Sequence, residues 1–364
     1  MWIVLSMLAC GGDSLDSGAL EAGFSPPDQA GPYPVGVKTL DVIDVRGKAL
    51  RIEVWYPAVP APGDEPDEYD LPLLRDAYRG APAADGAFPL VGFSHGLGGI
   101  RYQSAFLTEH LASHGYIVGA VDHTYTTILD MNESKLVQGT LERPDDVRYM
   151  IDALIADAQI GPIIEDPNAY RMIGHSLGAV TTLMLANGQL DPDALGAHCT
   201  DRDDRVCRNF QDFTPEMLDE HGFYDARVVA NVPITPGLWY MFGPSGAHLS
   251  STANTLILAS DKDQVLDYET EARPVYDALG GPKRMATFLD AGHYAYTEIC
   301  EFVAPLFEDC EGPEGGYIDL DRAKILTNTT VTAFLKSEAE GDARYTEWIE
   351  VEAPELTWES FTGP

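Results

Sequence analysis

The chain has 364 residues, 45% of them hydrophobic, enough for one large domain with a sizeable core. Its 58 acidic residues against 23 lysines and arginines give a net charge of −35. A surface of that sign repels nucleic acid and anionic lipid headgroups, so neither is an expected partner, and the charge reads as a solubility device.

Residues 1–9, Met1 to Ala9, form an apolar run that stops at Cys10. An apolar run ending in a small residue before cysteine resembles the lipobox of bacterial lipoproteins. The resemblance implies a signal segment over residues 1–9, lipidation of Cys10, export, and membrane attachment only through the lipid. The run is too short to span a bilayer. Residues 10–30, rich in Gly, Ser, Asp and Pro, read as a flexible tether. The domain is expected over residues 31–364.

Val37–Asp44 and Leu50–Tyr56 alternate apolar and polar residues and predict two strands joined by a turn at Arg46-Gly47. A Pro- and acid-rich loop follows, from Pro57 to about Asp85. Phe88–Phe93 and Tyr116–Val121 are short apolar runs, with a helix between them marked by Tyr102, Phe106 and Leu111. Val147, Met150, Ile151, Leu154 and Ile155 share one face at helical spacing. Tyr170–Ile173 is the next buried strand, followed by a helix carrying Val180, Leu183 and Met184. Val228–Val232, Thr255–Ala259 and Met285–Leu289 complete the strands, and a last helix carries Ala323 to Leu335. Continuous apolar strands alternating with amphipathic helices predict an α/β fold with a mostly parallel sheet covered on both faces.

Asn187–Asp225 is too long for an ordinary connection and reads as a cap-like excursion near the site mouth. It holds Cys199 and Cys207, while Cys300 and Cys310 form a second close pair. Four cysteines allow three pairings, of which Cys199–Cys207 with Cys300–Cys310 is the simplest. An oxidising compartment is expected. The acidic clusters at residues 64–68 and 201–204 lack the spacing of a calcium loop, so neither a metal nor an organic cofactor is expected.

Gly174-His175-Ser176-Leu177-Gly178 stands where a strand runs into a helix, and that context gives a short pattern its chemistry. A serine on such a turn projects its hydroxyl above the sheet, which makes Ser176 the candidate nucleophile. Acyl transfer also needs a base, an acid to orient it and oxyanion donors, all at the carboxyl ends of parallel strands. His293, after the last of the predicted parallel strands, is the candidate base. Asp263, in Ser260-Asp261-Lys262-Asp263, is the favoured acid, with Asp261 nearer the strand end as the alternative. The N–H groups of Leu177 and of Leu97, in Ser94-His95-Gly96-Leu97-Gly98-Gly99, are the candidate oxyanion donors. His95 and His175 belong to the turn scaffold. Trp239-Tyr240-Met241-Phe242 either lines an acyl pocket or packs in the core.

Together with Gly31-Pro32-Tyr33-Pro34-Val35-Gly36, Leu111 to Val118 and Ile318 to Leu335, these motifs resemble the α/β-hydrolase fold. Within it they resemble the plasma-type platelet-activating factor acetylhydrolases and their dienelactone-hydrolase-like bacterial relatives. The resemblance implies a serine esterase, with short-acyl or oxidised phospholipids among its substrates. Those acetylhydrolases carry their acid one strand earlier, near Val232-Pro233-Ile234, where this chain has no carboxylate. An acid after Thr255–Ala259 is instead the arrangement of bacterial esterases and cutinase-type polyester hydrolases. Short-to-medium acyl esters, phospholipids and polyesters are therefore the expected substrate classes. A peptidase and a non-catalytic binding lipoprotein are the rival readings.

Overall fold

The computed structural model describes residues 24–66, 69, 77–219, 221–303 and 307–362. The expected signal segment and Cys10 lie outside them. No helix among the described residues is long and apolar enough to cross a membrane.

Ten strands form one sheet: β1 (Val35–Ile43), β2 (Ala49–Pro57), β3 (Ala77–Arg79), β4 (Leu90–Ser94), β5 (Ile117–Val121), β6 (Tyr170–His175), β7 (Val228–Ile234), β8 (Asn254–Ser260), β9 (Lys283–Phe288) and β10 (Leu356–Phe361). Their spatial order is β10-β9-β8-β7-β6-β4-β5-β2-β1-β3. The six strands from β4 to β9 pair in parallel. Antiparallel pairs flank this block, β1–β2 and β2–β5 on one side and β9–β10 on the other. Two strands were not foreseen. The three-residue β3 sits inside the stretch read as a loop, and β10 is a half-exposed edge strand with no clean alternation.

β4, β5 and β6 are buried along their whole length, as expected of parallel strands covered on both faces. On one face, Leu107 and Leu111 of α1 (Ala105–Ser113) join residues of the last helix against Val91, Phe93 and Val118. On the other, α2 (Leu136–Ala156) packs Val147, Met150, Ile151 and Leu154 on Leu90, Ile117 and Met172. There α3 (Leu177–Leu185) also lies against β6 and β7.

The 187–225 excursion forms α4 (Pro192–His198) and α5 (Arg205–Asn209), clamped by the Cys199–Cys207 disulfide. Its Leu195, Phe210 and Phe213 pack on Val180 and Met184 of α3. After α6 (Arg273–Ala278) and β9 comes a second excursion, containing α7 (Ile299–Val303) and tied by Cys300–Cys310. The last helix is α8 (Leu320–Phe334).

The end of the expected tether differs from the sequence reading. His110 Nε2 donates to the Pro27 carbonyl at 3.0 Å and His114 Nε2 to the Gln29 carbonyl at 2.8 Å. Phe24 packs its ring on Tyr345, so residues 24–30 are docked on the domain. The cause is chemical: two helix α1 imidazoles, kept neutral by burial, find acceptors in that backbone.

Candidate active site

The parallel strands bring four separate segments to one rim. Ser176 follows β6, Asp263 follows β8, His293 follows β9 and Leu97 follows β4. Ser176 has φ 57° and ψ −118°, a strained conformation for a residue with a side chain. It occupies the N-cap position of α3, yet its side chain makes no capping hydrogen bond. Its backbone N–H donates to the Ile234 carbonyl at 2.9 Å, so the strain is held by the neighbouring strand while the hydroxyl is left for other work.

Two glycines make this turn possible. A Cβ on Gly174 would lie 2.2 Å from the Gly178 carbonyl oxygen, and one on Gly178 would lie 1.9 Å from the Ser94 oxygen. Helix α3 therefore starts almost in contact with the end of β4, next to the turn that carries Leu97.

His293 is buried, and its Nδ1–H donates to Asp263 Oδ2 at 2.7 Å. The other Asp263 oxygen accepts from the N–H groups of Val265 and Leu266 at 2.8 and 2.7 Å, which fixes the carboxylate in place. Asp261 is not brought to the imidazole in this way. It interacts with the backbone at Asp290 and Ala291, and burial raises its pKa. Ser176 and His293 line the same cavity. They form no direct hydrogen bond, and contacts of this kind often tighten only in the Michaelis complex.

The Leu97 N–H is aimed by its neighbours. The Gly96 carbonyl accepts from His95 Nδ1 at 2.7 Å and lies 3.4 Å from Arg143 Nη2, while Arg143 Nη1 donates to the His95 carbonyl at 2.6 Å. In a trans peptide the C=O and the following N–H point opposite ways, so holding the Gly96 oxygen inward turns the Leu97 N–H outward, to the cavity side. Gly96 N–H and Gly98 N–H are committed, to Gln103 Oε1 and the Thr126 carbonyl, both at 2.8 Å. Neither Leu97 N–H nor Leu177 N–H has a protein acceptor among the described residues.

Two polar networks brace this rim, and sequence reasoning missed most of their members. In the first, Gln103 offers its oxygen to Gly96 N–H, so its NH2 faces His175 Nδ1 at 3.0 Å. That nitrogen must accept, leaving His175 Nε2–H to donate to the His293 carbonyl at 2.9 Å. Burial, helped by the nearby His293, pulls the His175 pKa down to about 3, so this imidazole stays neutral. One glutamine thus joins the oxyanion turn to the loop of the candidate base.

The second network lies behind the turn. Asp146 Oδ2 meets His123 Nδ1 at 3.1 Å, and His123 Nε2 meets Ser94 Oγ at 2.9 Å. All three are fully buried, as is Arg143. The arrangement copies the order acid, imidazole, hydroxyl, but no substrate can reach it. Burial lowers the His123 pKa well below its usual value, with Arg143 and Lys48 adding to the effect. Its signal was present in α2, where Arg143 and Asp146 share the face of Val147 and Met150.

The cavity measures about 470 Å3. Ser176, His293 and the 96–99 turn form its floor, and aliphatic groups such as Ile128, Met131, Val180 and Leu266 form its walls. Both disulfide-tied excursions contribute, the first through Val206 and Phe210 and the second through Ile299 and Phe307. Asp309 of the second excursion accepts from Tyr294 N–H at 2.6 Å, bracing the segment beside His293. None of residues 239–242 lines this cavity, and the wall takes their neighbour Leu238. Tyr240, Met241 and Phe242 pack in the core behind it, with Trp239 partly buried against them, which favours the core reading of these four residues over the pocket reading. His198, Asp204 and Cys207 cluster closely enough to suggest a metal, but Cys207 is in a disulfide and cannot ligate.

The chain is similar to several known proteins. Residues 73–129 match the family model described as platelet-activating factor acetylhydrolase, isoform II. Cutinase est2 of Thermobifida alba is 22% identical over 277 residues, covering 74% of this chain and 65% of that protein. Cutinase 2 of Thermobifida cellulosilytica is 26% identical over 199 residues, covering 54% of this chain and 56% of its own length. The chain thus spans less than two thirds of these relatives. A ferulic acid esterase from Streptomyces cinnamoneus has the same fold, with a TM-score of 0.61 and 22% identity over 90% of this chain and 96% of that one. Two formed disulfides mark a chain exported to an oxidising compartment. The sheet order and the strand-to-helix serine turn are those of the α/β-hydrolase fold, and the proteins this chain is similar to are cutinases and an esterase.

Proposed function

We propose that the chain hydrolyses carboxylic esters through an acyl-enzyme on Ser176. The reading is carried by one observation: a strained serine, excused from capping its helix, shares an apolar cavity with an imidazole held by a buried carboxylate. In this mechanism the Ser176 hydroxyl attacks the ester carbonyl and its proton passes to His293 Nε2. Asp263 keeps the imidazole in the Nδ1–H tautomer and stabilises the imidazolium. The Leu97 and Leu177 N–H groups take the oxyanion. The alcohol leaves with the proton from His293, which then takes a proton from water as that water attacks the acyl-serine. The acid is released and Ser176 is restored.

Short-to-medium acyl esters are the favoured substrates. Polyester cleavage is the second reading, favoured by the acid after β8 and by the cutinases among the relatives. The lipid anchor at Cys10 belongs to the same proposal, with the catalytic domain held at a membrane surface. Labelling of the purified protein by a fluorophosphonate, its loss in Ser176→Ala, and release of p-nitrophenol from p-nitrophenyl butyrate test the chemistry. Labelling retained in Ser176→Ala, or a Ser176→Ala variant as active as the parent, refutes it.

A further inference from the structure

The cavity wall is apolar except at a few places, and one of them has a pattern. Helix α5 turns Arg205, Val206 and Asn209 to the cavity, with Phe210 at its C-cap beside them. Residues four apart share one helix face, so the guanidinium and the amide sit side by side. Among the described residues neither side chain has a hydrogen-bond or ion-pair partner, although the chain carries 58 acidic residues. The neighbouring acids are engaged elsewhere: Asp203 pairs with Arg208 at 3.1 Å, and Asp204 caps α5 by accepting from Cys207 N–H at 2.9 Å. Tyr294 lies on the same wall; burial raises its pKa, and the charge of Arg205 is near enough to oppose that rise. The Cys199–Cys207 disulfide fixes the backbone of α5 beside the cavity, while the Arg205 side chain is exposed at its edge.

Two donors without a partner among the described residues, at the edge of an apolar cavity, orient a ligand by its acceptor end. A guanidinium fork fits a carboxylate through two parallel hydrogen bonds. We infer that Arg205 and Asn209 form a carboxylate subsite, so that this cavity selects esters carrying a second, free carboxylate. The inference rests on the esterase reading for its catalytic part and on the cavity wall alone for its binding part. The free carboxylate belongs either to the acyl side, as in half-esters of dicarboxylic acids, or to the alcohol side, as in esters of hydroxybenzoates.

The test compares kcat/KM for p-nitrophenyl hydrogen adipate and 4-carboxyphenyl butyrate, each as a ratio to neutral p-nitrophenyl butyrate, in the parent, Arg205→Gln and Arg205→Glu. The ratio for one of the two charged esters is expected to fall about three- to fivefold in Arg205→Gln, the size of a partly exposed ion pair, and about tenfold in Arg205→Glu. Which ester responds identifies the side that carries the carboxylate. Ratios unchanged in both variants overturn the inference. Calorimetric titration with adipate needs no turnover: binding by the parent that weakens at least threefold in Arg205→Gln supports the subsite, even if no ester is cleaved and the esterase reading falls. Adipate binding that is absent, or equal in parent and variant, overturns it.

Discussion

Replacing Gln103 by leucine separates the catalytic geometry from the fold that surrounds it. The change removes the acceptor for Gly96 N–H and the donor to His175 Nδ1, both buried. Each such bond contributes about 0.5–1.5 kcal/mol, and each buried group left without a partner costs about 1–3 kcal/mol. The loss falls on two segments at once, since the same side chain ties the turn of Leu97 to the loop of His293. A displacement near 1 Å at either place lowers turnover by roughly 100-fold. Substrate binding depends on the aliphatic wall, which Gln103→Leu leaves in place. The expected result on p-nitrophenyl butyrate is a kcat roughly 30- to 100-fold lower with KM within about twofold. A boronic acid that mimics the tetrahedral intermediate should lose affinity by the same factor as kcat/KM. Thermal unfolding of the same sample reports the stability cost separately. A variant with lower Tm but kcat within threefold of the parent refutes the coupling.

Further outcomes follow from other contacts. Asp263→Asn should lower kcat by about 10³–10⁴-fold with little change in KM, because the amide no longer selects the working tautomer of His293; steady-state kinetics decide it. Burial raises the Glu271 pKa to about 7, so this carboxyl holds its proton more tightly folded than unfolded, and stability should decline as pH rises from about 4.5 to 7 and then level off. Glu271→Gln, which can still accept from Leu238 N–H, should flatten that slope and gain roughly 2 kcal/mol at pH 8 in urea titrations. A slope identical in parent and variant assigns it to another group. Cys300→Ser with Cys310→Ser opens a loop of sequence separation 10 and should cost about 2–3 kcal/mol, with a lower kcat because Asp309 braces the segment next to His293. Gly178→Ala drives a methyl into the Ser94 carbonyl and should abolish fluorophosphonate labelling even where soluble protein is recovered.

Much of the rim was legible because its signals are local. The apolar runs placed the parallel strands within a few residues, and the Gly-x-Ser-x-Gly turn marked the strand-to-helix junction. The alternative between Asp261 and Asp263 could not be decided by spacing, since both follow β8 and only the fold of the 290–293 loop separates them. Gln103, His123, Arg143 and Asp146 were missed for a different reason. Arg143 and Asp146 interrupt the apolar face of α2, and Gln103 and His123 sit in turns beside α1 and β5 where polar residues are ordinary; only three-dimensional partners turn them into braces. The edge strand β10 was missed because it packs one side against β9 and leaves polar residues outside. The aromatic run 239–242 left two readings open, since large apolar groups near a site fill the core as readily as they line it.

The docking of residues 24–30 separates two ends of the domain. Helix α1 begins close to the catalytic rim, where Ser104 bonds the Tyr296 carbonyl, and runs along one face of the sheet to Ser113 and His114. The leading segment is received at that second end, by His110 and His114. The mouth and the place where this segment joins the domain are therefore held a full helix length apart, so a change to residues 24–30 reaches the catalytic rim only through α1.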